Sequence, residues 1–385
     1  MLTAILSEIM DQPNALQSFN ELLEIGKKFV QQGQIENIQS FGSGNINDTF
    51  LVSLQGIEAQ SQILQRINTN VFREPKLVMR NMRIYSEHVR DRLDKDPLDR
   101  PWEIPRILPT IEGLDYFQTE HGEFWRSLSF IKGSQSYNVM ENIEQAQEVG
   151  YALGMFHNLT SDLPPERLDD TLEGFHNTPR YLQQYEEVVA KIKPPHHTKR
   201  SPEVNHCLRF VRDRQHLAHI LEDAKAAGKL PLRTMHGDPK VNNILFDRQT
   251  NLAMSVIDLD TVKSGLIHYD IGDCLRSGCN PAGEDAEDWL NVRFDTELCQ
   301  GILQGYLSAA RSFLTEYDYA YVYDAIRVIT FELGLRFFTD YLAGNIYFHV
   351  EYPEHNLLRS LVQFRLLESI ETQESVIHQI IQASK

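Results

Sequence analysis

The stretch MHGDPKVNNILFD, at residues 235–247, constrains the fold of this chain more than any other segment. It joins a dense group of polar residues to the apolar run Ile-Leu-Phe. Because a residue before proline is pushed away from helical backbone angles, Asp238, which precedes Pro239, is predicted to lie in a loop. The apolar run then predicts a strand that leaves this loop. The polar residues of the loop are His236, Asp238, Lys240 and Asn243.

A second strand is predicted to return beside the first. The segment DRQTN at 247–251 is typical of a turn, and LAMSVID after it predicts a strand, so that Asp258 comes back beside Asn243. In an extended segment, residues two apart face the same side, so we expect Asp258 and Asp260 to present their carboxylates together. Carboxylate and amide oxygens suit Mg²⁺. The sequence therefore predicts a magnesium site at Asn243, Asp258 and Asp260.

Together these residues form the pattern HxDxxxxN, followed after a hairpin by an aspartate. This is the phosphoryl-transfer arrangement of the protein-kinase-like fold, in which the first aspartate accepts the proton of the acceptor hydroxyl. We therefore predict Asp238 as the catalytic base, with Lys240 beside it in the catalytic loop. The alternative is a polar loop that only caps a hairpin, and it does not explain the apolar strands on both sides or the position of Asp258.

The features with which protein kinases dock peptides are missing from the sequence. Asp258 is followed by Leu-Asp instead of completing a DFG motif, there is no APE motif, and only a short segment separates Asp258 from GLIHYDIGD. The pattern therefore favours a small molecule as the hydroxyl acceptor.

The amino-terminal part of the chain is predicted to bind the nucleotide. In FGSGNINDTFLV, Gly42 and Gly44 would let the backbone approach phosphates closely, although an ordinary hairpin turn explains the same glycines. Arg66 in ILQRI, on the third strand, is the candidate phosphate-binding cation. Its carboxylate partner is expected on the following helix, as Glu87 or Glu74.

The segment FIKG, from Phe130 to Gly133, has the apolar-then-glycine pattern of a hinge between two lobes. Phe130 and Lys132 would then lie where the backbone binds adenine, whereas an edge strand that ends in a turn is the alternative. Strand and helix patterns mix before this segment, and nearly all later patterns are helical. We predict an α+β, two-lobed protein-kinase-like fold, with a small β-rich N-lobe for the nucleotide (1–132) and a mainly helical C-lobe for catalysis and acceptor binding (133–385).

Composition limits the classes of partner that the protein is expected to bind and the compartment in which it is expected to lie. The formal net charge of −17 argues against nucleic acid or anionic membrane as a partner, since phosphates attract Lys and Arg. The four cysteines show no CxxC spacing, so we expect reduced thiols in a cytoplasmic protein, and a zinc site at Cys274 and Cys279 is disfavoured. We expect no secretory signal and no membrane span, because acidic residues precede the first lysine and no run of about 18 apolar residues occurs. A monomer or weak dimer is expected.

The motifs also resemble those of a known family, the aminoglycoside phosphotransferase and choline kinase superfamily of small-molecule kinases. HGDPKVNNILFD and the ID of VIDLDTVKSGLIHYDIGDCLR carry the resemblance to the superfamily as a whole. Within it, QRINTNVF, DLDTV and the late segment FTDYLAGNIYF are similar to the N-acetylhexosamine 1-kinase group. The resemblance implies ATP as phosphoryl donor and Mg²⁺ as cofactor.

The resemblance implies roles for single residues as well. Asp238 would be the base, and Asn243 and Asp258 would hold Mg²⁺. Asn45 stands where the hexosamine group carries a histidine that reaches the sugar, which is a departure from the pattern of that group. The residues that would contact the sugar are Asn45, Asp238, Lys240, Arg336 and Tyr347.

These observations predict an ATP-dependent kinase that phosphorylates a sugar, at the anomeric hydroxyl of an N-acetylhexosamine or a related sugar. An aminoglycoside, a choline-like amino alcohol or homoserine as acceptor would keep the same chemistry. Arg336 bears on this choice, because it could pair with Glu332 one helical turn away instead of binding a sugar. A kinase-like module that only binds ligands is disfavoured, since it would not need the complete set His236, Asp238, Asn243 and Asp258.

Overall fold

The computed structural model describes residues 13–42, 46–55, 61–191 and 201–385. The chain forms two compact units: the first contains the residues up to Ser86 together with Ile104–Lys132, and the second contains Glu87–Glu103 together with Gly133–Lys385. Gly44 and Asn45 lie outside the described residues, so their proposed contacts stay predictions.

Within its described residues, the first unit is built on a six-stranded antiparallel sheet. Its elements are α1 (Pro13–Lys27), β1 (Gln34–Ser40), β2 (Asp48–Gln55), β3 (Ser61–Ile67), the start of α2 (Pro75–Lys95), β4 (Ile107–Leu108), β5 (Phe117–Gln118) and β6 (Phe124–Ser129). The strand order is β1-β2-β3-β6-β4, and β5 also pairs with β6. The long central strands follow from alternating apolar and polar residues, as in SQILQRI of β3.

The two faces of this sheet pack against different helices. On one face, Leu64 belongs to an apolar cluster with Ile25 of α1. On the other face, Ile67 belongs to a cluster with Val78 of α2. Since neighbouring residues of a strand point to opposite faces, the position of a residue along β3 decides which helix it faces.

Residues 87–103 pack with the second unit, although they precede the predicted boundary at residue 132. In the second half of α2, Arg92 and His88 both contact the carboxylate of Asp162. Farther along, Arg100 bonds Glu148 at 3.1 Å. These polar contacts tie the segment to helices of the second unit. The division of nucleotide and acceptor roles between residues 1–132 and 133–385 stays a prediction.

Short strands hold two loops in the second unit. They are β7 (Ser134–Gln135), β8 (Arg233–Met235), β9 (Ile244–Asp247), β10 (Ala253–Val256) and β11 (Lys263–Gly265). β9 and β10 form the predicted hairpin, β7 pairs with β9, and β11 pairs with β8. We call residues 236–243, between β8 and β9, the Asp238 loop, and residues 257–262, between β10 and β11, the Asp258 loop. The paired strands therefore bring the two loops side by side.

The remaining described part of the second unit is helical. The helices are α3 (Ile143–Leu159), α4 (Thr178–Lys191), α5 (Pro202–Arg214), α6 (Ile220–Ala226), α7 (Ile267–Gly278), α8 (Thr296–Ala310), α9 (Glu316–Ala320), α10 (Val322–Ala343), α11 (His355–Thr372) and α12 (Glu374–Ser384). Phe331, Leu335 and Phe338 from α10 and Phe364 from α11 form one apolar cluster with residues of α4 and α5. The predicted α+β class and kinase-like lobes are confirmed.

Helices α3 and α8 approach each other backbone to backbone. A Cβ atom added at Gly150 would lie 1.9 Å from the carbonyl oxygen of Ile302, and one added at Gly305 would lie 1.8 Å from that of Gln147. Only glycine fits at such contacts. Across the residues that the structure covers, no helix is both long and apolar enough to cross a bilayer.

Candidate active site

A buried carboxylate, which the sequence alone did not single out, holds the Asp238 loop in place. Asp270, in the first turn of α7, accepts the backbone N–H groups of His236 at 2.6 Å and of Gly237 at 2.8 Å. Its Oδ2 also lies 2.8 Å from Nε2 of His157, which is equally buried. Bonds from N–H groups to an ionised acceptor are stronger than neutral ones, so Asp270 fixes the backbone just before Asp238. An aspartate within the apolar pattern of HYDIGD could have pointed to it, because a buried charge needs partners.

Gly237 allows the Asp238 loop to lie directly against the Asp258 loop. Its φ of 88° is in the left-handed region, and a Cβ atom there would lie 2.9 Å from Cβ of Thr261. The Thr261 hydroxyl donates to the carbonyl of His236 at 2.7 Å. Glycine at this position therefore sets the close spacing of the two loops.

His236 also joins these two loops, and its side chain does not reach solvent. The side chain is fully buried, and Nε2 lies 2.9 Å from the carbonyl oxygen of Ile257, to which it must donate. Burial lowers the pKa of His236, more than its carboxylate neighbours raise it. A neutral, bonded imidazole supports the loops instead of exchanging protons with a substrate.

Asp238 and Lys240 form an ion pair of 3.0 Å between Oδ1 and Nζ. Asp238 raises the pKa of Lys240, and Glu284 and Asp273 add to this effect, so the ammonium group stays charged at neutral pH. The carboxylate of Asp238 is still 27% exposed. It can accept a proton from a hydroxyl group bound beside it, while Lys240 supplies positive charge at the same place.

Asn243 meets the start of the Asp258 loop, as the hairpin predicts. Its carbonyl oxygen accepts the N–H of Ile257 at 2.9 Å. Its side-chain nitrogen donates to the carbonyl of Asp238 at 2.8 Å, so the oxygen Oδ1 of the same amide can turn to a cation. Asn243 and Asp258 thus offer an amide oxygen and a carboxylate on two adjacent loops, ligand types that suit Mg²⁺, and their role in metal binding stays a prediction.

The extended geometry predicted for Asp258 and Asp260 is wrong. Asp258 has left-handed backbone angles, φ 64° and ψ 58°, and Asp260 lies in a short 3₁₀ turn, Leu259–Thr261. Aspartate tolerates this conformation better than most residues because its side chain can bond locally. Asp260 is 1% exposed, and its carbonyl accepts the hydroxyl of Thr171 at 2.9 Å. The two carboxylates are therefore not brought together by strand alternation, and the metal role of Asp260 stays a prediction.

Arg336, on α10, lies among aromatic rings. The centroids of four rings are 4.8 to 5.9 Å from its guanidinium carbon: those of Phe175, Tyr181, Tyr347 and Phe348. The alternative pairing with Glu332 does not form, because Oε1 of Glu332 contacts Nδ1 of His176 at 2.9 Å and Oε2 accepts the Thr178 hydroxyl at 2.6 Å. The cation–π contacts hold the guanidinium in place without neutralising it.

Tyr347 is positioned by a carboxylate at the end of α10. Asp340 accepts three successive backbone N–H groups, at 2.8 Å from Ile346 and from Tyr347 and at 2.9 Å from Phe348. The side chain of Asn356 donates to it as well, at 2.9 Å. The FTDYLAGNIYF segment thus folds into a bend that places Tyr347 against Arg336.

In the first unit, some of the residues proposed to contact the nucleotide lie near one another. Phe41, just before Gly42, meets the ring of Phe130 edge-to-face with centroids 5.9 Å apart. Gly42 has a φ of 78°, and nothing lies within 4 Å of an added Cβ, so backbone conformation explains the glycine there. Lys132 is exposed beyond the end of β6. The Phe41–Phe130 contact joins the glycine-containing turn to the predicted hinge.

Arg66 pairs with partners other than those predicted. Its guanidinium donates to Asp48 on β2 at 2.6 Å and to Glu123 beside β6 at 2.5 Å, instead of reaching Glu87 or Glu74. The reason is strand alternation: Arg66 lies over the ring of Trp125, on the face that packs against α1.

A buried arginine of β6 faces α2 instead. The Nε of Arg126 donates to Oε1 of Gln65 at 3.0 Å, and Nη1 lies 3.9 Å from the sulfur of Met82 on α2. Arg126 is 1% exposed. The sequence did not single out Arg126, because WRSLSF does not show which face is covered, and the role of Arg66 as the phosphate-binding cation stays a prediction.

Comparison with known proteins identifies the family of the chain. Residues 37–317, more than half of the chain, match APH, the phosphotransferase enzyme family. Among solved structures, an amicoumacin kinase in complex with AMP-PNP and Ca²⁺ is similar with a TM-score of 0.58 and 14% identity, covering 94% of this chain and 96% of that one.

Two further structures share the fold over nearly the whole chain. A microcompartment-associated aminopropanol kinase has a TM-score of 0.57 and 15% identity, covering 92% of this chain and 98% of its own. A choline kinase from Cryptosporidium parvum has a TM-score of 0.56 and 14% identity, covering 94% and 97%. At such low identity these structures establish the fold and leave the acceptor open. The protein therefore belongs to the phosphotransferase enzyme family and is an enzyme that transfers a phosphoryl group to an alcohol acceptor.

Proposed function

We propose that this enzyme uses ATP and Mg²⁺ to phosphorylate a sugar, at the anomeric hydroxyl of an N-acetylhexosamine or a related sugar. The observation that carries the proposal is that the carboxylate of Asp238 pairs with one cation, Lys240, and favours the charge of a second, Arg336. Lys240 pairs with it at 3.0 Å. Burial lowers the pKa of Arg336, but Tyr181, Glu332, Tyr347 and Asp238 together raise it, so the guanidinium stays charged among its four rings.

These two cations disfavour a cationic acceptor. At about 4 Å, like charges repel by roughly 1 kcal/mol in water and roughly 4 kcal/mol at an effective dielectric constant of about 20. The nearby acids do not reverse this field, because Asp273 and Glu284 both bond Arg276, at 2.8 and 2.7 Å. The hydroxyl and acetamido oxygens of a neutral sugar accept hydrogen bonds from Lys and Arg without such repulsion.

In the proposed reaction, Asp238 accepts the proton of the acceptor hydroxyl as that oxygen bonds to the γ-phosphorus of ATP and ADP leaves. Mg²⁺, when bound, neutralises charge on the phosphate oxygens, and Asn243 and Asp258 would hold it, with Asp260 next to them. Lys240 and Arg336 orient the sugar, and Tyr347 supplies an aromatic surface. The remaining proposed contacts are Asn45 for the sugar and Gly42, Gly44, Arg66, Phe130 and Lys132 for the nucleotide.

An acceptor panel tests the proposal. Purified enzyme with Mg²⁺ and ATP is offered N-acetylglucosamine, N-acetylgalactosamine, glucose, galactose, choline, ethanolamine, homoserine and kanamycin, and ADP release is followed. We expect turnover with an N-acetylhexosamine and, because the anomeric hydroxyl is used, loss of its reducing end. Asp238→Asn serves as the inactive variant, and Asp213→Asn, at an exposed carboxylate of α5, as its matched control.

Each other outcome has a definite meaning. Turnover with an amino alcohol or kanamycin and with no sugar would leave the family assignment intact and refute the sugar proposal. Turnover with a sugar whose reducing end survives would refute the anomeric position only. Binding of ATP without transfer to any compound of the panel would instead support the kinase-like binding module.

A further inference from the structure

One segment of the second unit touches both loops of the site. We call residues 168–178, LDDTLEGFHNT, the strap. Near its start, Thr171 donates to the carbonyl of Asp260 in the Asp258 loop at 2.9 Å. Near its end, Nε2 of His176 lies 2.7 Å from the carbonyl oxygen of Gly237 in the Asp238 loop. The strap therefore reaches the residue that precedes the proposed base.

His176 has hydrogen-bond partners at both ring nitrogens, and both partners are acceptors. The carbonyl oxygen of Gly237 can only accept, so Nε2 must donate to it. Nδ1 lies 2.9 Å from Oε1 of Glu332, whose other oxygen already accepts the Thr178 hydroxyl. A ring that donates from both nitrogens is an imidazolium. His176 is 6% exposed, so this charge is compensated inside the protein by Glu332.

The surroundings of His176 agree with a charged ring. Burial disfavours the charged form, but Glu332, the Gly237 carbonyl and Asp273 outweigh burial and raise the pKa of His176. The ring also stacks on Tyr269, with planes 13° apart. Its backbone is in the left-handed region, with φ 58°, where residues other than glycine are uncommon. Strained backbone of this kind is often found at functional sites.

We infer that His176 is a positioning residue of this phosphotransferase: as an imidazolium held by Glu332, it fixes the carbonyl of Gly237 and thereby the carboxylate of Asp238. Asp270 accepts the N–H of Gly237 and His176 donates to its C=O, so the residue before Asp238 is held on both sides.

The same turn of the strap also faces the acceptor side. Phe175, next to His176 in sequence, lies with its ring centroid 5.4 Å from the guanidinium carbon of Arg336. A shift of this turn would move both the proposed base and the proposed sugar-binding arginine. This coupling rests on the proposed function, whereas the charge state of His176 and its bond to Gly237 do not.

Nitrogen NMR of the imidazole rings tests the inference without any acceptor. In wild-type enzyme labelled with ¹⁵N-histidine at pH 7.5, we expect one pair of ring-nitrogen resonances that shows both nitrogens protonated. The same pair should be missing from the spectrum of His176→Gln. The exposed His216→Gln is the matched control and should remove a different resonance pair. A neutral ring at His176 overturns the inference.

Kinetics supply a second, independent measurement. With whichever acceptor the wild type uses, His176→Gln should lower kcat by about 10- to 100-fold, the usual effect of removing a residue that orients a reactive group. The KM for ATP and the amount of nucleotide bound should stay unchanged, which a purely structural defect would not produce. His216→Gln should retain full activity.

The outcomes separate this inference from the proposed function. If the enzyme phosphorylates an amino alcohol instead of a sugar, the proposed acceptor is refuted and the kcat ratio still tests His176. If His176→Gln turns over like the wild type, the positioning role is refuted whatever the acceptor. If His176→Gln does not fold, Glu332→Gln replaces it: it keeps the side-chain volume, removes the compensating charge, and should both neutralise the ring and lower kcat.

Discussion

At the scale of single residues, Asp238 has a partly exposed carboxylate that is paired with a cation. Lys240 lies 3.0 Å from one oxygen, which still leaves part of the carboxylate exposed for a substrate. Replacing Asp238 with Asn keeps the shape and removes the ability to accept a proton. We expect turnover to fall by about 10²- to 10⁴-fold, while the fold and ATP binding persist. Steady-state kinetics beside calorimetric ATP titration measures both, and turnover within a fewfold of wild type would remove Asp238 from the role of base.

The two aspartates of the Asp258 loop differ in exposure and geometry, so their substitutions should differ as well. Asp258→Asn is expected to weaken Mg²⁺-dependent nucleotide binding strongly, because it replaces a charged oxygen ligand with a neutral one. Asp260→Asn should weaken it less, because Asp260 is buried in the 3₁₀ turn behind it. Titration of ATP at several Mg²⁺ concentrations compares the variants. The reverse order would mean that Asp260 is the principal ligand.

Arg336 tests the acceptor side. Lysine in its place keeps the charge but cannot lie flat among four rings or donate two parallel hydrogen bonds. The loss of one charged hydrogen bond, about 1.5 to 3 kcal/mol, corresponds to a sugar KM raised by roughly 10- to 100-fold, with the KM for ATP unchanged. The exposed Arg212→Lys is the control. An equal rise in both KM values would show that Arg336 supports the fold instead of the acceptor.

At the scale of secondary-structure elements, the contact between α3 and α8 depends on glycine. Gly150→Ala would place a methyl group 1.9 Å from the carbonyl oxygen of Ile302, and a backbone atom cannot move aside alone. We expect a loss of about 1 to 3 kcal/mol or more in the free energy of unfolding. Gly301→Ala on the same helix pair meets its nearest atom, Cβ of Ala146, at 3.0 Å and should cost less. Chemical denaturation compares them, and equal midpoints would contradict close packing of the backbones.

The same scale shows what the sequence could and could not predict. Local periodicity predicted the β9–β10 hairpin and the loop before it, because apolar alternation and Asp-Pro act over a few residues. It failed for the carboxylate partner of Arg66, because a strand pattern does not reveal which face α2 covers. It missed Asp270 and His176, because their partners lie in distant segments and only the folded chain brings them to Gly237.

At the scale of the whole molecule, a buried ion pair of the second unit should govern its stability in acid. Asp318, 1% exposed, bonds Arg233 of β8 at 2.9 and 3.0 Å. Burial alone would raise the pKa of Asp318, but Arg233 and the N–H of Thr315 more than offset it, and the pKa lies below its usual value. A carboxyl group with a lowered pKa in the folded state stabilises the protein above its unfolded pKa, about 3.9, and that stabilisation is lost as the pH falls through the folded value.

Asp318→Asn therefore should destabilise the protein at neutral pH and have little effect in acid. At pH 7 it leaves Arg233 buried without a charged partner, and we expect a loss on the order of 3 to 5 kcal/mol in the free energy of unfolding. As the pH falls from about 4 through the lowered folded pKa of Asp318, the wild type loses this stabilisation, so the two urea-unfolding midpoints should converge. The exposed Asp213→Asn should follow the wild type throughout. Midpoints that stay equally far apart from pH 7 to pH 3 would show that the carboxylate of Asp318 does not titrate with unfolding, and that the steric fit of the side chain, not its charge, holds α9 to β8.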